Sequence, residues 1–167
     1  MEYTFRKATT ADLDGIMTII EEAKQQMKRE GKHQWDQGYP ARTHIEHDIS
    51  TGVGYVMLQA EQLMAYGAVV LTGEPAYDVI QGHWLSDEPF VVLHRLAVAE
   101  AAKGHGIGLR FIEKVEQLAL SVDVHSFRVD TNYDNERMLR LLDKAAFTYC
   151  GNIIYQQGSR MAFEKMI

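Results

Sequence analysis

Cys150 is the sole cysteine of the 167-residue chain, so no intrachain disulfide can form and a cysteine-rich metal site is excluded. In the strand-like run FTYCGNIIYQ that thiol reads as a small buried hydrophobe, in keeping with the burial habit of free cysteine, or as a nucleophile. There is no basic run, and the formal net charge is -6, which argues against a nucleic-acid partner. A modest acidic balance suits a cationic or amine substrate, and it is equally the bulk charge of many cytosolic proteins. No stretch of about 18 apolar residues is present, so nothing is expected to span or bind a membrane. The N-terminal MEYTFRKAT lacks the apolar core of a signal peptide, and the expected location is cytoplasmic. Internal repeats, low-complexity segments and Pro/Gly/Ser linkers are also lacking, so residues 1–167 are expected to form a single domain.

What is present is an ordinary globular mix, 46% apolar and 24% charged. Residues 2–8 read as a strand. TTADLDGIMTIIEEAKQQMKREG reads as a helix capped by Thr10 and stopped at Gly31, with Ile16, Ile19, Ile20, Ala23 and Met27 at helical spacing. ARTHIEHDIS is a short second helix, and GYVMLQAEQLMAYGAVVLT holds two strands joined near Glu61-Gln62. Gly73–Pro89, with two prolines and Trp84, reads as an irregular loop. A strand Val91–Val98, a helix near 106–121, the strand HSFRVDT, the helix DNERMLRLLDKAA and two closing strands turning at Gly158-Ser159 complete the order. Consecutive strands followed by a strand-helix-strand unit predict a mixed α/β domain. Its mostly antiparallel six- to seven-stranded sheet should have helices on both faces and one right-handed parallel β-α-β crossover.

The stretch LHRLAVAEAAKGHGIGLRF, Leu93 to Phe111, raises a chemical question. Three glycines, Gly104, Gly106 and Gly108, stand at the doorway of a helix, where each costs backbone entropy. Free N–H groups and a partial positive charge at a helix start, bared by missing side chains, make a phosphate seat, with Lys103 at its rim. There is no G-x-x-x-x-G-K-[ST] loop, and G-x-G-x-x-G fails because residue 109 is leucine. What stands is Lys103-x-x-Gly106-x-Gly108 between a strand and an amphipathic helix. The bare pattern also fits a plain glycine-rich turn.

This element resembles the R/Q-x-x-G-x-G/A pyrophosphate loop of the GNAT superfamily of N-acetyltransferases. LHRLAV resembles that superfamily's fourth strand, FRVDTNYDNERMLRLLDKAAFTYCGNIIY its closing β-α-β segment, and RMAFEK its final strand. The likeness carries specific motifs over roughly residues 90–165, and the N-terminal half matches by element order alone.

The resemblance implies an acetyl-CoA-dependent N-acetyltransferase, with acetyl-CoA as co-substrate and a small-molecule or peptide amine as acceptor. It places the pantetheine arm on the backbone of Leu96, Ala97 and Val98, and the pyrophosphate on the N–H groups of Lys103, Gly104, His105, Gly106, Ile107, Gly108 and Leu109. Asn135 would bond the pantetheine or its neighbouring water, or cap its helix, or both, and Lys144 would approach the nucleotide end. His94 is the candidate base, at the place where arylalkylamine-type members carry a catalytic histidine in H-x-L-A-V; a histidine packed in the sheet is the alternative. Many members use a tyrosine acid five residues before the last helix's closing aromatic. Here that position is Leu142 and the closing pair is Ala146-Phe147, which removes the usual acid or moves its task to Tyr133, Tyr149, Tyr155 (the candidate of the three) or water. In QWDQGYP, Trp35 and Tyr39 would wall the acceptor pocket and Asp36 would attract its amine, or the two aromatics pack a loop.

His33, His44 and His47 lack a convincing third ligand, so no metal is expected. The closing strands leave room for a homodimer. The absent acid also admits a second reading, a non-catalytic acyl-CoA-binding sensor or interaction module of the same fold.

Overall fold

The computed structural model describes residues 2–35 and 38–167. Asp36, assigned above to the acceptor's amine, lies outside the described residues. Eight strands, β1 (Thr4–Lys7), β2 (Gly54–Gln59), β3 (Gln62–Val70), β4 (Gln81–Gly82), β5 (Phe90–Val98), β6 (Ser126–Thr131), β7 (Thr148–Tyr155) and β8 (Gly158–Met166), form one sheet in the order β1-β2-β3-β5-β6-β8-β7-β4. The helices among the described residues are α1 (Leu13–Arg29), α2 (Arg42–Ser50), α3 (Ile107–Ser121) and α4 (Glu136–Lys144). The sheet is mostly antiparallel, with β5 and β6 parallel at Phe90–Ser126, Val91–Phe127 and Val92–Arg128. A mixed α/β fold with one parallel pair is therefore what the element order required.

The chain packs as two compact units, Met1–Val69 with Arg95–Phe111, and Val70–His94 with Ile112–Ile167. In the first unit a 3-10 turn at Thr10–Asp12 precedes α1, and the capping residue is Thr9 rather than Thr10: its backbone N–H donates to Asp12 Oδ2 at 2.7 Å. Leu13, Ile16, Ile19 and Ile20 of α1 are buried, as are Ile45 of α2 and Val56, Met57, Ala65 and Tyr66 of the β2–β3 hairpin. That hairpin turns at Ala60-Glu61, with Gln59 opposite Gln62.

In the second unit Tyr77, Val92, Ile153 and Ala162 are buried together, with Trp84, Phe90 and Tyr155 packed against them. The β7–β8 turn falls at Gln156-Gln157, two residues before the expected place, because Tyr155 pairs with Gly158. The eighth strand, β4, lies inside the segment expected to be an irregular loop. Gly82 meets Gly151 there so closely that a Cβ on Gly82 would stand 2.2 Å from the Cys150 carbonyl oxygen. The rest of that segment is pinned by buried charge. The Arg128 guanidinium lies between the rings of Trp84 (4.2 Å) and Phe90 (4.1 Å) and donates to the Ser86 carbonyl at 2.7 Å. Fully buried Glu164 accepts from Leu85 N–H (2.6 Å), the Ser86 hydroxyl (2.8 Å) and Ser126 Oγ. Burial alone would raise the Glu164 pKa, but these donors and Arg128 hold it below the usual carboxylate value. The segment is thereby ordered around Trp84, Leu85 and Ser86.

Candidate active site

The glycine elbow belongs to the first unit. After β5 the chain makes a 3-10 turn, Glu100–Ala102, and Lys103 N–H donates to the Glu100 carbonyl at 3.3 Å. Arg110 N–H donates to the Gly106 carbonyl at 3.1 Å. Between them, the N–H groups of Gly104, His105, Gly106, Ile107, Gly108 and Leu109 reach no backbone carbonyl among the described residues. Gly104 (φ +82°) and Gly106 (φ +72°) are in the left-handed region, which turns successive N–H groups toward one side, and a Cβ on either would meet nothing within 4 Å. Glycine is thus favoured here by backbone conformation, and the space beside it is open. These residues fit a pyrophosphate: donors unspent by the protein, at the start of a fifteen-residue helix, beside exposed Gly104, His105 and Gly106. The ammonium of Lys103 is held at the rim by Glu100 Oε2 (2.9 Å) and by Gln26 Oε1.

Just before Leu96, Ala97 and Val98, the strand carries a non-glycine residue with positive φ, Arg95 (+56°). Its side chain fixes that irregularity. Nε and Nη2 donate to Asp48 at 2.9 and 2.7 Å, and Nη1 donates to the Tyr39 hydroxyl at 2.9 Å. Asp48 is buried and also accepts from the Tyr66 hydroxyl at 2.5 Å; burial and the Asp48 charge push that phenol's pKa well up. A buried bidentate pair of this kind is costly to break, since either partner alone would be an uncompensated buried charge. Tyr39 thus belongs with the strand that would carry the pantetheine. It also meets His44 edge-on at 4.9 Å. Trp35 is 6% exposed, so its ring offers little free face for stacking.

The two candidate catalytic side chains lie in the second unit. His94 Nε2 is 3.6 Å from Glu74 Oε1. Tyr155 donates its hydroxyl proton to Asp130 Oδ2 at 3.0 Å, and Tyr77 donates to the same oxygen at 2.7 Å. Arg160 Nη1 stands 3.7 Å from Asp130 Oδ1. Burial first, then the charges of Asp130 and Glu74, push the Tyr155 phenol well above its ordinary value, and the same groups raise Tyr77. Tyr155 therefore stays protonated at any working pH, with its proton engaged on a carboxylate.

Asn135 is the N-cap of α4, its side chain accepting from Met138 N–H at 3.3 Å. Lys144 is exposed in the last turn of α4. Leu142 is fully buried and serves packing. Burial raises the Cys150 thiol pKa, the opposite of an activated nucleophile. Nδ1 of His44 accepts from Ala41 N–H at 2.8 Å, a capping role. No group of three potential metal ligands occurs among the described residues, and no helix there is long and apolar enough to cross a membrane.

Glu74, Asp130, Asp48 and Arg95, with Tyr66 and Tyr77, have no assigned role in the sequence. Arg95 lies within LHRLAV and Asp130 within FRVDT, yet each acquires its role from a partner brought in by the fold.

A model of the acetyltransferase (GNAT) family matches residues 16–147. A GNAT-family acetyltransferase from Streptococcus agalactiae superposes with a TM-score of 0.90 at 32% identity, covering 99% of this chain and 95% of its own. One from Listeria monocytogenes gives 0.79 at 20% identity, covering 100% and 96%. The Salmonella typhimurium protein yncA, solved with its cofactor acetyl-CoA, gives 0.67 at 15% identity, covering 98% and 93%. No curated protein matches the chain.

Proposed function

Because the chain belongs to the GNAT acetyltransferase family, we propose that it is a cytoplasmic N-acetyltransferase that moves an acetyl group from acetyl-CoA directly to a primary amine of a small molecule or peptide. The observation that carries the cofactor half of this reading is the run of uncommitted N–H groups from Gly104 to Leu109 at the start of α3. They would hold the pyrophosphate, with Lys103 beside them. The backbone of Leu96, Ala97 and Val98 would hold the pantetheine, Asn135 its neighbourhood, and Lys144 the nucleotide end. Acetyl-CoA supplies an activated thioester.

The protein's own task is alignment, which can contribute roughly 7–11 kcal/mol, and proton management. An alkylamine with a pKa near that of lysine, about 10.4, arrives protonated. His94 takes that proton; the C–N bond forms as the thioester C–S bond breaks; the nitrogen then sheds a second proton, which ends on the sulfur, and His94 gives the first to solvent. A thiol with a pKa near 8.5 departs tolerably as thiolate, so the last step asks little of an acid. For Tyr155 to perform it, its hydroxyl must first leave Asp130. Trp35 and Tyr39 would form part of the acceptor wall, Trp35 as a packed support.

The buried Leu142, standing where many members place an acid, favours the second reading, a non-catalytic acyl-CoA-binding module. Free-thiol release from acetyl-CoA across a panel of primary amines separates the two. Amine-dependent release with mass-spectrometric detection of acetylated amine supports the enzyme. Tight coenzyme A binding with no amine-dependent release across the panel supports the module.

A further inference from the structure

Glu74 begins the 3-10 turn Pro75–Val79 of the second unit through its backbone: Tyr77 N–H donates to the Glu74 carbonyl at 2.9 Å. The two carboxylates near His94 and Tyr155 differ sharply. The Asp130 side chain is 4% exposed and is engaged by two phenols and Arg160. The Glu74 side chain is 25% exposed and that of His94 is 23% exposed, so both can be reached from solvent.

The gap between Glu74 Oε1 and His94 Nε2, 3.6 Å, is too long for a good hydrogen bond between them. It suits a single nitrogen donating to both. With donor–acceptor distances of about 2.8 Å to each, that nitrogen sits at the apex of a triangle with an angle of roughly 80°, which two slightly bent N–H bonds of an ammonium can serve. The charge of Glu74 is already felt nearby, since it helps raise the phenols of Tyr77 and Tyr155.

We infer that Glu74 anchors a positively charged acceptor: an alkylammonium donates one N–H to Glu74 Oε1 and a second to His94 Nε2, so that the group that will take its proton also helps to hold it. This rests on the transferase reading and narrows its acceptors to amines that are cationic at neutral pH, disfavouring anilines and alkoxyamines. Once the proton has passed to His94, the carboxylate faces an imidazolium and the amine is neutral, so the anchor's hold falls as the nucleophile forms.

The test is a binding measurement that needs no turnover. The His94 imidazole resonances are followed by NMR while butylammonium chloride, and separately 1-butanol, is titrated into wild-type protein, Glu74→Gln and Glu74→Asp, each with and without coenzyme A. Butylammonium should move the His94 resonances, bind about tenfold more weakly to Glu74→Gln, and recover in part with Glu74→Asp, which keeps the charge. Butanol should bind equally poorly to all three. Butylammonium affinity unaltered by Glu74→Gln, equal affinity for butanol, or no His94 response to butylammonium would each overturn the inference. The transferase reading is scored separately by thiol release with butylamine, so the two can fail independently.

Discussion

The glycine elbow and the His94 cluster solve different problems with different materials. The elbow is made of backbone: consecutive N–H groups from Gly104 to Leu109, with two glycines at φ +82° and +72° and no side-chain chemistry beyond Lys103 at its rim. The cluster is made of side chains from scattered positions, Glu74, Tyr77, His94, Asp130 and Tyr155, whose tips lie within 2.7 to 3.6 Å of a neighbour. A backbone site specifies a shape that many sequences could line. A side-chain site specifies protonation states and tolerates little substitution. The difference predicts that damage to the two will be felt in different kinetic constants.

The largest separation should come from His94→Ala. Turnover at pH 7 is expected to fall by about 10²–10⁴-fold, while calorimetric affinity for coenzyme A changes less than about twofold. Turnover within a fewfold of wild type would return His94 to the packed role and erase the contrast. Gly106→Val should do the reverse. A β-branched residue at φ +72° is strained by at least about 1–2 kcal/mol although its Cβ has open space, so coenzyme A affinity should drop about tenfold, with turnover at saturating acetyl-CoA nearly kept. Equal losses in both constants would mean that the elbow and the catalytic groups are not separable.

Ala146→Gly sharpens the same point at the smallest scale. Ala146 has φ +68° beyond α4, where its N–H donates to the Asp143 carbonyl at 3.0 Å, so the chain takes a glycine conformation to end a helix. Glycine there should stabilise by about 0.5–1 kcal/mol and raise Tm by about 1–4 °C, with activity unaltered. A lower Tm would show that positive φ is less costly here than assumed, weakening the argument for Gly104 and Gly106.

The same contrast explains what could be read in advance. Contiguous features were legible: the order of strands and helices, the apolar face of α1, and the elbow itself, because each is written in neighbouring residues. The β4 strand was missed because two residues paired through facing glycines leave no period to detect. Arg95 sat unnoticed in an apolar strand because its partner, Asp48, is far along the chain. Glu74 was lost in a segment that looked irregular, since the order there comes from Arg128 and Glu164 pinning Trp84, Leu85 and Ser86. Asn135 suits both a cap and a cofactor contact by its place in the sequence; the fold shows the cap, and the cofactor role is a proposal.

The central claim is that the amides of Gly104–Leu109 grip the diphosphate of coenzyme A. Residue-resolved amide NMR during a coenzyme A titration tests it most directly. The account predicts large shifts and slowed hydrogen exchange at those amides, saturating together, with smaller changes elsewhere. Saturable coenzyme A binding that leaves these amides unmoved would contradict it.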